Sequence, residues 1–220
     1  MLVSAELRWF WRGGVPAAVD AWFRKREVPA GGGKRRTDEY LVDRSQIELG
    51  LKKRGTKPGI EIKGLVGSRR TVSTPFDGRV QIWSKWTSET LTIDHLPRVN
   101  VHKTRWLRKF DTSGSHVVEI ELDDQERPRH SPDKLPERGC HFEVVSLEVE
   151  GGSTPWGSVG FEAFGDLSTV ENSLDRTLSH VATAAELPAG RELSYPGWLV
   201  QLFEGEHPVH ETRAGISSGD

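Results

Sequence analysis

The sequence predicts a mainly β, antiparallel fold, either a barrel or a sandwich with a few flanking helices. Three observations carry that prediction. Stretch after stretch alternates apolar and polar residues with period 2, the spacing of a strand with one buried face. Nearly every stretch ends at Gly, Pro or Asp, which break the pattern. Only two segments show the 3.6-residue period of a helix, too few to supply the crossovers of a parallel sheet.

The elements follow in order along the chain. A first strand covers 3–11. A helix is predicted from about Pro16 to Arg26, with Pro at its first position and Val19, Trp22 and Phe23 on one face. Residues 30–36 read as a polar loop. Strands are then predicted over 40–43, 46–54, 59–66, 80–86, 88–93, 100–110, 116–122 and 140–150, with a shorter one at 159–164. A second loop, 125–138, contains Pro128, Pro132 and Pro136. The second helix begins at Ser168, where Ser168 and Glu171 have capping-box spacing, and places Val170, Leu174, Leu178 and Val181 on one stripe. The expected organisation is a barrel unit over 1–186 with helices at about 16–26 and 168–186, a packing segment over 187–204, and a flexible tail over 205–220.

Composition narrows the function classes. The 220 residues hold 30 Lys and Arg against 32 Asp and Glu, a net charge of -2. A bulk binder of nucleic acid or of an anionic membrane normally carries a basic surplus, so neither is expected as partner. No run approaches the ~20 apolar residues of a membrane span, and the N-terminus does not read as a signal peptide. The single cysteine, Cys140, excludes an intrachain disulfide and suits a reducing compartment, so a cytoplasmic protein is expected.

Splitting each strand by face is more informative, because residues i and i+2 point the same way. Glu6 and Arg8 share a face, as do Lys52 and Arg54, Glu61 and Lys63, Lys103 and Arg105, Glu119 and Glu121, and Glu148 and Glu150. The opposite faces are apolar: Leu49 and Leu51, Ile60 and Ile62, Val118 and Ile120, Leu147 and Val149. Two structures satisfy this pattern. One is an open sheet whose charged face meets water, laced with cross-strand ion pairs. The other is a barrel whose charged faces line an enclosed channel, with cations for a polyphosphate and carboxylates for a divalent metal. Periodicity alone does not separate them.

The order of the motifs resembles the CYTH, or triphosphate tunnel metalloenzyme, superfamily. The resemblance lies in Thr-Asp-Glu-Tyr-Leu at 37–41, Leu-Lys-Lys-Arg-Gly at 51–55, Ile-Glu-Ile-Lys-Gly at 60–64 and Val-His-Lys-Thr-Arg at 101–105. It continues in an aliphatic strand ending in Leu122-Asp123, then Gly139 leading to a Glu-x-Glu strand at 148–150. One motif departs from the pattern. Where the family has Glu-x-Glu-x-Lys in its first strand, this chain has Ser4-Ala5-Glu6-Leu7-Arg8.

The resemblance implies an antiparallel eight-stranded tunnel-like barrel and a metal-dependent hydrolase of a small triphosphate: inorganic triphosphate, a nucleoside triphosphate or thiamine triphosphate. It implies that Arg8, Lys52, Arg54, Lys63, Lys103 and Arg105 cradle the phosphates. Lys85, on the face of Trp83, either joins this basic set or is an exposed edge lysine. The resemblance also implies Mg²⁺ or Mn²⁺ on Glu6, Glu148 and Glu150, and Glu119 or Glu121 orienting the water. The missing first-strand carboxylate favours an alternative on the same fold, a polyphosphate or nucleotide binder without turnover. A protein that binds or processes RNA 5′-triphosphate ends is the third reading.

Other signals carry less. Gly31-Gly32-Gly33-Lys34-Arg35-Arg36 fails as a phosphate loop, since Val28 stands at the required first Gly and Arg35 where Ser or Thr would meet Mg²⁺; it reads as a basic loop. His207 and His210 have no third ligand nearby. Trp106 alternates away from Lys103 and Arg105, so it is expected to pack on the helix around Leu174 rather than stack on a base.

Overall fold

A computed structural model describes residues 2–25, 33–55, 57–71, 77–91, 93, 96–130, 136–183 and 187–206. His207 and His210, Gly31 and Gly32 of the basic loop and the tail beyond 206 lie outside the described residues.

Eight long strands form the wall: β1 (Leu2–Arg12), β2 (Lys34–Leu41), β3 (Leu49–Arg54), β4 (Ile60–Thr71), β5 (Gly78–Ser88), β6 (Arg98–Asp111), β8 (Gly139–Val149) and β9 (Trp156–Gly165). The ladder runs β1-β5-β4-β3-β2-β6-β8-β9, and β9 pairs back onto β1 from Val3↔Gly165 to Arg12↔Trp156. Every pairing is antiparallel. The sheet is therefore a closed eight-stranded barrel with no free edge around its girth. Two short strands are appended: β7 (Val118–Ile120) on β6, and β10 (Arg191–Glu192) on β1. Among the described residues three helices complete the fold: α1 (Ala17–Arg24), α2 (Val170–His180) and α3 (Tyr195–Glu206). None of the described helices is long and apolar enough to cross a membrane.

Alternation along each strand now has a direction. Ala5 and Leu7 of β1, Phe142 and Val144 of β8, and Val159 and Phe161 of β9 point outward, where α1 adds Trp22 and Phe23 and α2 adds Leu174 and Leu178. Ring contacts tie this outer core together: Phe142 stacks on Phe161 at 4.4 Å and meets Phe23 edge-on at 5.0 Å. The inward residues are charged along part of the barrel and apolar at one end. There Phe10, Val101, Val145, Leu147 and Trp156 surround Trp198 and Leu199 of α3. Trp198 stacks on Phe10 at 5.0 Å and is 1% exposed, so α3 closes that end.

Several element boundaries differ from expectation, each for a physical reason. The stretch read as a polar loop contributes Lys34, Arg35 and Arg36 to β2, because β6 offers a ladder as far as Lys34↔Arg105. Residues 88–93 form no separate strand among those described: β5 stops at Ser88, where the pairing with β4 ends at Ile60. The Ser168 capping box is absent. The helix is capped from Thr169 without a side-chain hydrogen bond, and Glu171 instead accepts from Arg69 Nε on β4. Trp106 lies on the outer face as expected, but the cation above its ring is Arg24 of α1, at 5.6 Å.

Candidate functional site: a cation-lined cavity inside the barrel

The charged part of the barrel encloses a cavity of about 310 Å³, within the range of small-molecule sites. Its lining carries eight cationic side chains against four carboxylates, and two further carboxylates stand directly behind them: Asp38 against Arg36, Lys52 and Lys103, and Glu126 against Arg105. In a protein of net charge -2, the positive surplus is concentrated on the inside.

Three layers of ion pairs build the wall. Nearest α3, the Arg8 guanidinium is 4.7 Å from the Tyr195 ring and bonds Glu143 and Ser158. Gly160 makes this possible. It faces Arg8 across the β1–β9 ladder, and a Cβ there would come within 2.5 Å of the guanidinium carbon. Glu143 also pairs with Arg105 at 3.4 Å. Burial works to raise the Glu143 carboxyl pKa, but Arg8 and Arg105 outweigh it and hold the group ionised well below the usual range.

On the opposite wall, Asp38 is fully buried among Lys103 at 3.2 Å, Arg36 at 3.3 Å and Lys52 at 3.7 Å. Lys103 also donates to the Tyr40 hydroxyl at 2.5 Å and sits 3.8 Å from the Tyr195 ring centre. Burial, only partly offset by Asp38, pushes the Lys103 pKa down to about 7. Burial and the neighbouring Arg54 and Lys103 push Lys52 down to about 8. These are crowded cations, which an added anion would relieve.

The third layer is Glu6, Lys63, Lys85 and Glu162. Lys63 donates to Glu6 Oε2 at 2.5 Å and lies 4.4 Å from the Trp83 ring. Lys85 reaches Glu6 Oε1 at 2.7 Å and Glu162 Oε1 at 2.5 Å. Burial works to raise Glu6, yet Lys63 and Lys85 bring its pKa to about 2. At the mouth, Glu61 pairs with Lys52 at 3.3 Å and Arg54 at 3.2 Å.

Two donors in this wall are ion-paired without hydrogen-bond geometry. The Nε atoms of Arg36 and Arg54 are buried and within ion-pair distance of Asp38 and Glu61, yet neither makes a hydrogen bond. Buried N–H groups without a partner are costly, and both side chains line the cavity.

All seven cations named from the sequence, Arg8, Lys52, Arg54, Lys63, Lys85, Lys103 and Arg105, line this one cavity, and so does Glu6. The other four carboxylates lie elsewhere. Glu148 is exposed on the outer face of β8, opposite His102, and Glu150 accepts from Asn100 at 2.8 Å. Glu119 faces outward with Phe110, its register partner, and pairs with Arg108. Glu121 pairs with Arg129 at 2.8 Å and His130 at 3.1 Å. The cavity carboxylates are instead Glu6, Glu61, Glu143 and Glu162. Sequence reasoning missed Arg36, Glu143 and Glu162. Arg36 stood in an apparent loop, and Glu143 and Glu162 each lie alone between apolar or small neighbours, without a second charge two residues away.

The oxygen donors do not fit a divalent metal as they are placed. Among the described residues no three His, Cys, Asp or Glu side chains converge as a metal would require. Each cavity carboxylate is already engaged by Lys or Arg.

No family model matches this sequence, and no curated protein matches it. Among solved structures, the chain is similar to the S. pombe RNA triphosphatase Pct1, with TM-score 0.40 and 10% identity, covering 93% of this chain and 82% of that one. The same enzyme in complex with the Spt5 CTD gives 0.39 and 11%, over 93% and 83%. Likeness at this level fixes neither a family nor a substrate. The closed antiparallel barrel of eight strands is nonetheless the architecture that the tunnel-enzyme resemblance implies.

Proposed function

We propose that the barrel cavity holds the phosphate chain of a small triphosphate, namely inorganic triphosphate, a nucleoside triphosphate or thiamine triphosphate, and that the protein hydrolyses it. The observation that carries this reading is the charge of the cavity: eight cations line about 310 Å³ with four carboxylates, and they still outnumber the acids when Asp38 and Glu126 behind them are included. A chain of phosphate oxygens supplies the missing negative charge and accepts from the guanidinium and ammonium groups that line the cavity. Such cations would act on hydrolysis by fixing the chain and stabilising charge on the departing phosphate, which is most of what phosphoryl transfer asks of a protein. Because α3 closes one end, the chain enters from the side of Lys52, Arg54 and Glu61.

Retention without turnover is the second reading. Ser4, which hydrogen-bonds Glu6 at 2.8 Å where the resembled family has a further carboxylate, favours it. The deciding experiment measures binding and phosphate release for the three compounds, with Mg²⁺, with Mn²⁺ and with EDTA. Turnover that drops in Lys103→Met supports the hydrolase, and binding without release supports the receptor. No binding of any of them overturns both. Competition by an oligonucleotide bearing a 5′-triphosphate tests RNA ends as the substrate class.

A further inference from the structure

Glu6 and Glu162 face each other directly across the β1–β9 ladder. Two carboxylates so placed repel, and sheets do not keep such pairs without compensation. Here one atom is shared between the two. Lys85 Nζ, reaching in from β5, stands 2.7 Å from one carboxylate and 2.5 Å from the other. Lysine suits this post better than arginine, because its ammonium is a compact point charge with three donors rather than a planar fork. The remaining oxygen of Glu6 is taken by Lys63, and Ser4 donates a further hydrogen bond to the oxygen that Lys85 holds. Glu6, Glu162, Lys63 and Lys85 therefore sum to zero charge as they stand.

We propose that Lys85 is a resident cation that occupies the place between Glu6 and Glu162 and keeps a divalent metal out of it. A metal ion drawing on both carboxylates would lie within a few ångströms of the ammonium and leave the four-residue group with two excess positive charges. Mg²⁺ further requires near-octahedral oxygen ligation at about 2.0–2.1 Å, and the two oxygens that would bridge to it, Glu6 Oε1 and Glu162 Oε1, are the two that Lys85 holds. Two other changes point the same way. Ser4 contributes no charged oxygen, and Glu143, the nearest further carboxylate on β8, is drawn to Arg8 and Arg105. The carboxylate pair serves to position Lys85, so the cavity would present its cations to an anion with no metal on these two side chains.

The inference concerns the protein's own ion pairs and stands whether or not a triphosphate is the ligand. Its test is a Mn²⁺ titration of the full chain in the absence of any phosphate compound, read by the electron paramagnetic resonance signal of free Mn²⁺. Wild type and Lys85→Arg are expected to take up no Mn²⁺ that depends on Glu162. Lys85→Met and Lys85→Gln are expected to bind it at least about tenfold more tightly, the direction set by removing one like charge a few ångströms away. Adding Glu162→Gln to Lys85→Met is expected to abolish the gain. Wild-type uptake that Glu162→Gln removes overturns the proposal, and so does the absence of any gain in both neutral variants while they remain folded by circular dichroism. Should neither neutral variant fold, wild type against Glu162→Gln decides: coincident curves support the resident lysine, and divergent ones overturn it. Loss of triphosphate binding, by contrast, would touch only the function proposed above.

Discussion

The two ends of the barrel interior are built from the same strands and obey opposite rules. Near α3 the inward side chains are Phe10, Leu147 and Trp156, packed around Trp198. A few residues further along the same strands they are Glu6, Glu143 and Glu162, each bound to lysine or arginine. The first end is an ordinary apolar core that happens to lie inside a barrel. The second is a polar interior held open by charge, where each ion is paired and the cations outnumber the carboxylates. Stability should therefore depend on the closed end, and ligand recognition on the charged end.

The largest effect expected is at the plug. Trp198→Ala removes an indole that is 1% exposed and stacked on Phe10, and such truncations cost about 3–5 kcal/mol. Chemical denaturation measures it. A loss below about 1 kcal/mol, within the ordinary range for point variants, would mean that α3 is only resting on the barrel and that the contrast between the ends is wrong.

Next in size is a change at the mouth. Lys52→Met keeps the length of the side chain and removes a charge flanked by Asp38 and Glu61. A hydrogen bond to a charged group contributes roughly 1.5–3 kcal/mol, so triphosphate affinity is expected to fall about 10- to 100-fold. Calorimetric titration reads it. Unchanged affinity would place the ligand elsewhere.

A pH series sharpens the same contrast. Lys103, Lys52 and Lys63 have pKa values of about 7, 8 and 8, each lowered chiefly by burial from an ordinary value of 10.5. An anion favours their charged forms, so binding takes up protons, and affinity falls from pH 7 to 9 by up to about tenfold per unit for each proton taken up. The stability of the free protein moves the other way. Between the folded pKa values and 10.5 the unfolded chain binds more protons, so the contribution of these lysines to stability rises with pH. Affinity and stability that rise or fall together across this window would contradict the assignment.

The contrast between the ends also explains what the sequence disclosed. Period 2 told which residues share a face, and the strands whose faces are uniform were legible: Lys52 with Arg54, Glu61 with Lys63, Lys103 with Arg105 all line the cavity. It did not tell which face is inside where both are apolar. On β8, Phe142 and Val144 pack outward under the helices while Val145 and Leu147 pack inward under α3. An apolar Leu147 therefore implied an outward residue by the rule that held elsewhere, and the rule inverted. Glu143 and Glu162 were hidden for a related reason: each is the single inward charge in an otherwise apolar or glycine-rich strand, Phe142-Glu143-Val144 and Phe161-Glu162-Ala163. Strand closure by β9 was not legible from local pattern at all, because it depends on pairing Val3 with Gly165 at the far end of the barrel.

The smallest expected effect follows from that inversion. Glu148 and Glu150 sit on the outer face of β8, exposed, with Asn100 the hydrogen-bond partner of Glu150. Replacing both by Ala removes no cavity charge and leaves no buried group unpaired. Stability is expected to move by no more than about 0.5 kcal/mol, as for ordinary surface positions, and triphosphate affinity not at all. The matched variant Glu162→Gln changes one carboxylate on the neighbouring strand, and it frees Lys85 from half of its anchorage. That single change is expected to alter triphosphate affinity where the double change at 148 and 150 does not. If the double variant loses binding and Glu162→Gln keeps it, the register of β8 against β6 and β9 is displaced by one residue, since a slip of one turns every side chain to the other face.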